Sequence, residues 1–220
     1  MTTKILTASI LVLMLFACNQ NETNKSTKDS AVSSSQKGSV ANEPDTTVVA
    51  QPTADSSLLL LSDSILRLFK NQDFAHLGSY IHPQSGIRLS PYGVTDTLKD
   101  QRLTAKQLST LTSSKKTVNW GISEGSGEPI SLNVREYFKR FVYDVDFINA
   151  ERKSINNIIG PDSSSSNITS VYPGHKFVQF YFSGFNKQYE GMDWKSLVLV
   201  FKKENGRRYL VAVLHDQWKG

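Results

Sequence analysis

The chain has 220 residues, of which 39% are hydrophobic and 20% charged, and it carries a formal net charge of +5 with a single cysteine, Cys18. One cysteine excludes a framework of intrachain disulfides and a zinc site built from several thiolates. The basic residues occur in scattered pairs, such as Lys115-Lys116 and Arg207-Arg208, and not as a stripe. We therefore expect no nucleic-acid partner.

The first 17 residues have the pattern of an export signal. A short basic start ending at Lys4 precedes the apolar run "ILTASILVLMLF" at 5–16. This run suits a signal-peptide core but is shorter than the ~20 residues that a membrane-spanning helix needs. The following "LFAC" at 15–18 resembles the bacterial lipoprotein signal, which implies cleavage before Cys18 and attachment of an acyl lipid such as palmitate to that residue. The resemblance predicts a bacterial cell-envelope protein held at a membrane, the outer membrane, through this lipid. An uncleaved apolar N-terminus is the alternative.

The segment from Cys18 to Asp55 differs in composition from the rest of the chain. It is rich in Ser, Thr, Asn, Asp and Lys and has almost no large apolar residues. Such a segment cannot bury enough surface to offset the entropy of ordering, so we expect a disordered tether over residues 18–55. The remaining residues, 56–220, are enough for one domain with its own core.

Hydrophobic periodicity predicts helices in the first half of this domain. Apolar residues at helical spacing indicate a helix over 58–70 and a second, short helix over 74–81. The segment "IRLSPYG" at 87–93 is typical of an edge strand, because Pro91 cannot donate to a sheet ladder. One more short helix is expected within 97–116.

The second half favours strands. Residues 120–129 are predicted to form a Gly-rich loop, and Asn133 with Glu136 makes a capping-box pattern that opens a helix in "VREYFKRFVYDVDF". The segment 160–167 reads as a surface loop. Three strand patterns end the chain, "KFVQFYFSGF", "WKSLVLVFK" and "RRYLVAVLH", with Asn205-Gly206 as a hairpin turn between the last two.

Short N-terminal helices followed by long strands predict an α+β domain, with the helices packed on one face of an antiparallel sheet. The segment "LFKNQDFAHLGSYIHP" at 68–83 resembles the opening of nuclear transport factor 2-like domains, which implies a curved, cone-like sheet of the cystatin-like kind. The segments "IHPQSGIRLSPY", "GSGEPI", "EYFKRFVYDVDF", "YEGMDWKSLVLVF" and "VLHDQW" resemble an uncharacterised family of exported bacterial lipoprotein domains. That resemblance supports fold and compartment and implies no activity.

His215 is the best candidate for a general base, the role that a histidine held by a carboxylate performs. In a regular strand Tyr209, Val211, Val213 and His215 share one face, whereas Asp216 lies on the other. A carboxylate partner must therefore come from elsewhere, and the available ones are Asp144, Asp146 and Asp193. The alternatives are that His215 is a hydrogen-bonded inner residue with Trp218 sealing the end of the sheet, and that the two aspartates of "YDVDF" cap a helix or face water.

No complete catalytic constellation is visible in the sequence. A G-x-S-x-G elbow is missing, and the four histidines lack metal-ligand spacing. His82-Pro83 favours a turn over a catalytic role. We therefore predict no cofactor and no metal, and favour binding over catalysis. The candidate ligand-binding residues, for a small ligand, a glycan or an envelope protein, are Trp120, Tyr181, Trp194 and His215. The alternative is a small cavity enzyme that uses His215 as its base.

Overall fold

The computed structural model describes residues 53–219. The predicted signal peptide, the lipidation of Cys18 and all but the end of the predicted tether lie outside the described residues. The first helix begins at Ala54, two residues before the predicted start of the domain at residue 56.

Five α-helices and eight strands lie within the described residues. The helices are α1 (Ala54–Lys70), α2 (Phe74–Leu77), α3 (Ala105–Ser114), α4 (Val134–Phe141) and α5 (Ile168–Val171). The strands are β1 (Ile87–Ser90), β2 (Gln101–Leu103), β3 (Val118–Ile122), β4 (Pro129–Leu132), β5 (Arg152–Ile155), β6 (Lys176–Phe182), β7 (Lys195–Glu204) and β8 (Arg207–Gln217). Short 3-10 turns occur at Phe147–Asn149, Pro161–Ser165 and Lys187–Tyr189.

Local capping signals explain where the longer helices begin. Thr53 accepts a hydrogen bond from the backbone N–H of Ser56 and starts α1. Asn133 and Glu136 form the predicted capping box at the start of α4, with both reciprocal hydrogen bonds present. The buried apolar residues of α1, at positions 58, 65, 66 and 69, recur at the predicted helical spacing, whereas Leu60 lies on the exposed side.

The main sheet has six strands in the order β2-β1-β8-β7-β6-β5, and β3 and β4 form a separate hairpin. The predicted α+β class is confirmed. The prediction of an antiparallel sheet is corrected in one place, because β1 pairs in parallel with β8. The prediction of an edge strand at 87–93 is wrong: β1 lies between β2 and β8, and all four of its residues are buried. Pro91 follows its last residue and so disturbs no ladder bond.

The hairpin of β7 and β8 contains a bulge that sets the direction of the later side chains. Its turn is the predicted Asn205-Gly206, with φ of 49° and 78°. The register then shifts, because Phe201 pairs with Leu210 but Val200 pairs with Ala212. Val211 is therefore an extra residue in β8, and the predicted strict alternation from Tyr209 fails at this point.

The core has two parts, one on each face of the sheet. The larger cluster packs α1, α4 and the β3–β4 hairpin against one face, and it contains both Leu210 and Val213 of β8. A smaller cluster on the other face contains Val211, Ala212 and Leu214 together with Ile168 of α5. The bulge explains why neighbouring residues of β8 divide between the clusters in this way.

The segment predicted as a Gly-rich loop, 120–129, is the turn of the β3–β4 hairpin and part of both its strands. Trp120 belongs to β3 and is fully buried. Its indole stacks on Tyr137 with ring centroids 4.0 Å apart, and its Nε1–H donates to the carbonyl of Leu132 at 2.8 Å. Burial of its apolar surface gives this tryptophan a role in holding the hairpin against the core.

Candidate functional site

An open groove with a volume of about 340 Å³ lies where β7 begins and β8 ends. The antiparallel pairing of Lys195 with Gln217 brings the segment before β7 next to the C-terminal end of β8. The volume falls at the lower end of the range for small-molecule sites, about 300–1,000 Å³. The groove is lined by Tyr189, Met192, Asp193, Trp194, Lys195, Gln217 and Trp218.

Large apolar side chains of the groove are open to solvent. Tyr189 is 52% exposed, Trp218 is 51% exposed and Met192 is 45% exposed. Trp194 is buried and forms a wall, with the ring of Tyr181 behind it at a centroid distance of 6.2 Å. Trp218 therefore does not seal the sheet. Clustered exposed aromatic surface of this kind marks sites of interaction.

A partly buried charged network forms the floor of the groove. The ammonium of Lys195 donates to the carboxylate of Asp144 and, at 2.9 Å, to Oε1 of Gln217. The other oxygen of Asp144, Oδ1, lies 3.3 Å from Nε2 of His215. Burial by itself would raise the pKa of Asp144, but the contacts with His215 and Lys195 outweigh it and hold that pKa below its ordinary value.

His215 is fully buried beneath this network. Its ring lies edge-to-face with the ring of Phe141 in α4, and the two ring centroids are 5.9 Å apart. The contact with Asp144 has the distance of an ion pair but not the alignment of a hydrogen bond, and Nδ1 has no hydrogen-bond partner among the described residues. A general base must reach the proton that it removes. In this conformation His215 has no path to a molecule in the groove.

The two other candidate partners of His215 have different roles. Asp146 accepts hydrogen bonds from Tyr143 at 2.5 Å and Asn149 at 2.7 Å, and it pairs with Lys70 at the end of α1. Asp193 accepts the backbone N–H groups of Phe185 and Asn186. Both carboxylates stabilise loops, so Asp144 is the partner that the structure brings to His215.

The four predicted ligand-binding residues separate in space. Trp194 lines the groove, and Tyr181 supports it from behind. His215 lies under the floor, and Trp120 is in the core and does not line this groove. His82, predicted to set a turn, does so: its Nδ1 accepts the backbone N–H groups of residues 84 and 85.

Sequence reasoning missed most of the groove. The unassigned lining residues are Tyr189, Met192, Lys195 and Gln217, with Trp218 assigned to a different role. The available signal was the density of aromatic residues in "YEGMDW", just before the first strand of the hairpin, and in "HDQW", at the end of its second strand. Their convergence depends on the register of that hairpin, which composition does not reveal.

A second charged cluster fixes the chain end beside the groove. The ammonium of Lys219 lies 2.9 Å from Glu124, 3.6 Å from Asp162 and 3.8 Å from Asp216. Burial raises the pKa of Asp216 to about 6, although Lys219 acts against this. Trp218 directly precedes Lys219 in the chain. The contacts of Lys219 therefore restrain the position of the Trp218 indole at the rim of the groove.

The chain matches no protein-family model, and a search of curated proteins finds no match either. Within residues 53–219, no helix combines the length and apolarity that crossing a bilayer demands. The same residues contain no group of three or more His, Cys, Asp or Glu side chains arranged to hold a metal ion. A functional assignment must therefore come from the fold and the groove. The protein is an α+β domain with an aromatic groove at one end of its sheet.

Proposed function

We propose that the chain is a bacterial cell-envelope lipoprotein, anchored through lipid on Cys18, whose globular domain binds a ligand without catalysing a reaction. The anchoring half of the proposal is supported by the order of features at the N-terminus: a basic start, an apolar run, "LFAC" and a long polar segment. The anchor makes the membrane one partner. The other is a small ligand, a glycan or a segment of an envelope protein.

The half-exposed rings of Tyr189 and Trp218 carry the binding half of the proposal. Each leaves about half of a large aromatic surface in water, on opposite chain segments that line one groove. A bound ligand would remove this surface from water, which contributes roughly 25 cal/mol per Å² of apolar area. The wall of Trp194 and the paired charges of the floor support a groove that exists before the ligand arrives.

A small enzyme is the second candidate, and the approach of Asp144 to His215 favours it. In that function His215 would be the general base and Asp144 would orient its ring. The buried position of His215 and the competing hold of Lys195 on Asp144 weigh against it. We therefore place binding first.

The groove is tested with a panel of defined probes and the purified full-length protein, in a detergent without a sugar headgroup. The panel contains neutral trisaccharides, their charged counterparts and a capped tripeptide, and saturation-transfer NMR measures contact. We expect at least one probe to bind, and Tyr189→Ala and Trp218→Ala to weaken that binding at least tenfold. Leu98→Ala, which removes a still more exposed apolar side chain outside the groove, should have no effect. Binding that survives both groove substitutions contradicts the proposal, as does the failure of every probe.

A further inference from the structure

The two charged side chains that line the groove already have their polar atoms paired or buried within the protein. Lys195, the cation among the lining residues, already holds the carboxylate of Asp144 and the amide oxygen of Gln217. Asp193, the carboxylate among them, has no ion-pair partner among the described residues: one oxygen accepts two backbone N–H groups, and the other is buried without a hydrogen-bond partner, where a ligand does not reach it. A charged ligand of either sign would lose its hydration, and it would meet a lysine that is already paired and a carboxylate whose unpartnered oxygen is buried. The groove therefore favours a neutral ligand.

The polar groups of the floor still have hydrogen-bonding capacity. An ammonium carries three N–H donors, and Lys195 uses two of them within the described residues. The amide of Gln217 uses its oxygen for Lys195, and its two N–H donors have no partner among the described residues. Because both residues line the groove, their free donors suit a ligand that offers oxygen acceptors such as hydroxyl groups. A purely apolar ligand, for example an acyl chain, would cover them without satisfying them, which is costly.

The aromatic rings select the shape of the ligand. The faces of Trp218 and Tyr189 are flat, apolar and slightly negative because of their π-systems. They suit a flat ligand face made of weakly positive C–H groups. Together with the donors on the floor, they define a molecule with one apolar face and a rim of hydroxyls.

We infer that the groove binds a neutral saccharide, with a pyranose ring stacked on the exposed aromatics and its hydroxyls accepting hydrogen bonds from Lys195 and Gln217. A pyranose combines a face of C–H groups with a hydroxyl rim, and a neutral one brings no charge to a groove whose own charges are already paired or buried. This inference rests on the proposed function, since it names the ligand of the same groove. Because the groove is open, the bound ring can belong to a longer glycan.

The test compares saccharides that share a skeleton and differ in charge. The neutral probes are N-acetylated chitotriose, cellotriose and maltotriose. The charged probes are the deacetylated, cationic form of chitotriose and the uronic acid, anionic form of cellotriose. Acetyl-trialanine-amide stands for a peptide segment. Dissociation constants are measured by calorimetry on the full-length protein. We expect a neutral trisaccharide to bind, and its own charged counterpart to bind at least tenfold more weakly.

Matched variants separate stacking on the groove from contact elsewhere. Trp218→Ala and Tyr189→Ala should each weaken saccharide binding at least tenfold. Phe185→Ala removes an aromatic ring of similar exposure, 53%, from the same loop but outside the groove lining, and should leave the affinity unchanged. The melting temperature of each variant shows that it is folded.

The outcomes distinguish this inference from the proposed function. If only the peptide binds, and Trp218→Ala abolishes its binding, the groove is a binding site and the saccharide inference is overturned. Preference for a charged trisaccharide over its neutral counterpart overturns it as well. If no probe depends on Trp218 or Tyr189, the inference and the proposed function fail together.

Discussion

Asp144 and His215 meet beneath the floor of the groove, with Oδ1 of the aspartate 3.3 Å from Nε2 of the histidine. Asp144 follows helix α4, and His215 lies near the end of β8, so their contact joins the helical layer to the sheet. Lys195 holds the second oxygen of the same carboxylate. One carboxylate thus links the buried imidazole to the groove.

Asp144→Asn should destabilise the domain by about 3 kcal/mol, because it leaves the ammonium of Lys195 partly buried without its counter-ion. Thermal unfolding at pH 7 measures the loss. The control is Asp63→Asn, which breaks a single, more exposed ion pair with Lys153 and should change stability by less than about 1 kcal/mol. Since the pKa of Asp144 is lowered in the folded state, its ionic contribution is present above its ordinary pKa and disappears as the pH falls through the folded value. Equal stability of the two variants at pH 7 would contradict this account of the network.

Asp216→Asn should have the opposite effect near neutral pH. The pKa of Asp216 is raised from 3.8 to about 6, so the folded state binds more protons between these values and wild-type stability falls as the pH rises through them. The uncharged variant avoids this loss, which is at most about 3 kcal/mol, because the raised pKa already includes the opposing attraction of Lys219. We expect a higher melting temperature for Asp216→Asn than for wild type at pH 7.5, and no difference by pH 4. Glu124→Gln, at a second carboxylate that contacts Lys219, should give no such gain. A difference that grows on acidification would refute the assignment.

His215→Gln separates binding from catalysis. The glutamine retains a polar group next to Asp144 but cannot transfer a proton near neutral pH. If the groove only binds, the variant should be folded and should complement a deletion strain as wild type does. A folded His215→Gln protein that fails to complement, while still binding its ligand, would establish the enzyme instead. Circular dichroism and the binding assay supply the two controls.

Replacing Trp120 or Trp218 by alanine should change the stability of the domain by different amounts. Trp120→Ala removes a fully buried indole from the core and should cost about 3–5 kcal/mol of stability. Trp218→Ala removes a half-exposed indole and should cost less than about 1 kcal/mol, while it weakens ligand binding. Chemical denaturation of both variants measures the contrast. Comparable losses would mean that Trp218 is a structural residue.

Cys18→Ser should abolish lipid attachment, because the chain has no other cysteine. We expect the variant to lose the mass of the acyl groups and to leave the membrane fraction, as fractionation and mass spectrometry of the protein from bacterial cells will show. A serine substitution elsewhere in the polar segment, such as Asn24→Ser, is the control. An unchanged mass and membrane fraction in Cys18→Ser would remove the lipoprotein assignment and leave the groove proposal standing.

Signals that act within a few residues were readable from the sequence alone. The capping box at Asn133 and Glu136 begins α4, and the Asn205-Gly206 turn joins β7 to β8, because each depends on backbone geometry that these side chains determine locally. The order of helices and strands was enough for the α+β class. The parallel pairing of β1 with β8 was not readable, since it joins segments far apart in sequence.

The tertiary structure alone decided which face His215 occupies and what the groove contains. If the pairing set by the Asn205-Gly206 turn continued unchanged along both strands, Lys195 would pair with Asp216. His215 would then lie on the face opposite to Leu210. The bulge at Val211 moves the register by one residue, which pairs Lys195 with Gln217 and turns His215 toward Phe141 and Asp144. Side chains in a strand alternate with a period of two, so one extra residue reverses every later direction. Packing of the two core clusters on opposite faces of the sheet stabilises that extra residue, and no pattern within β8 reports it.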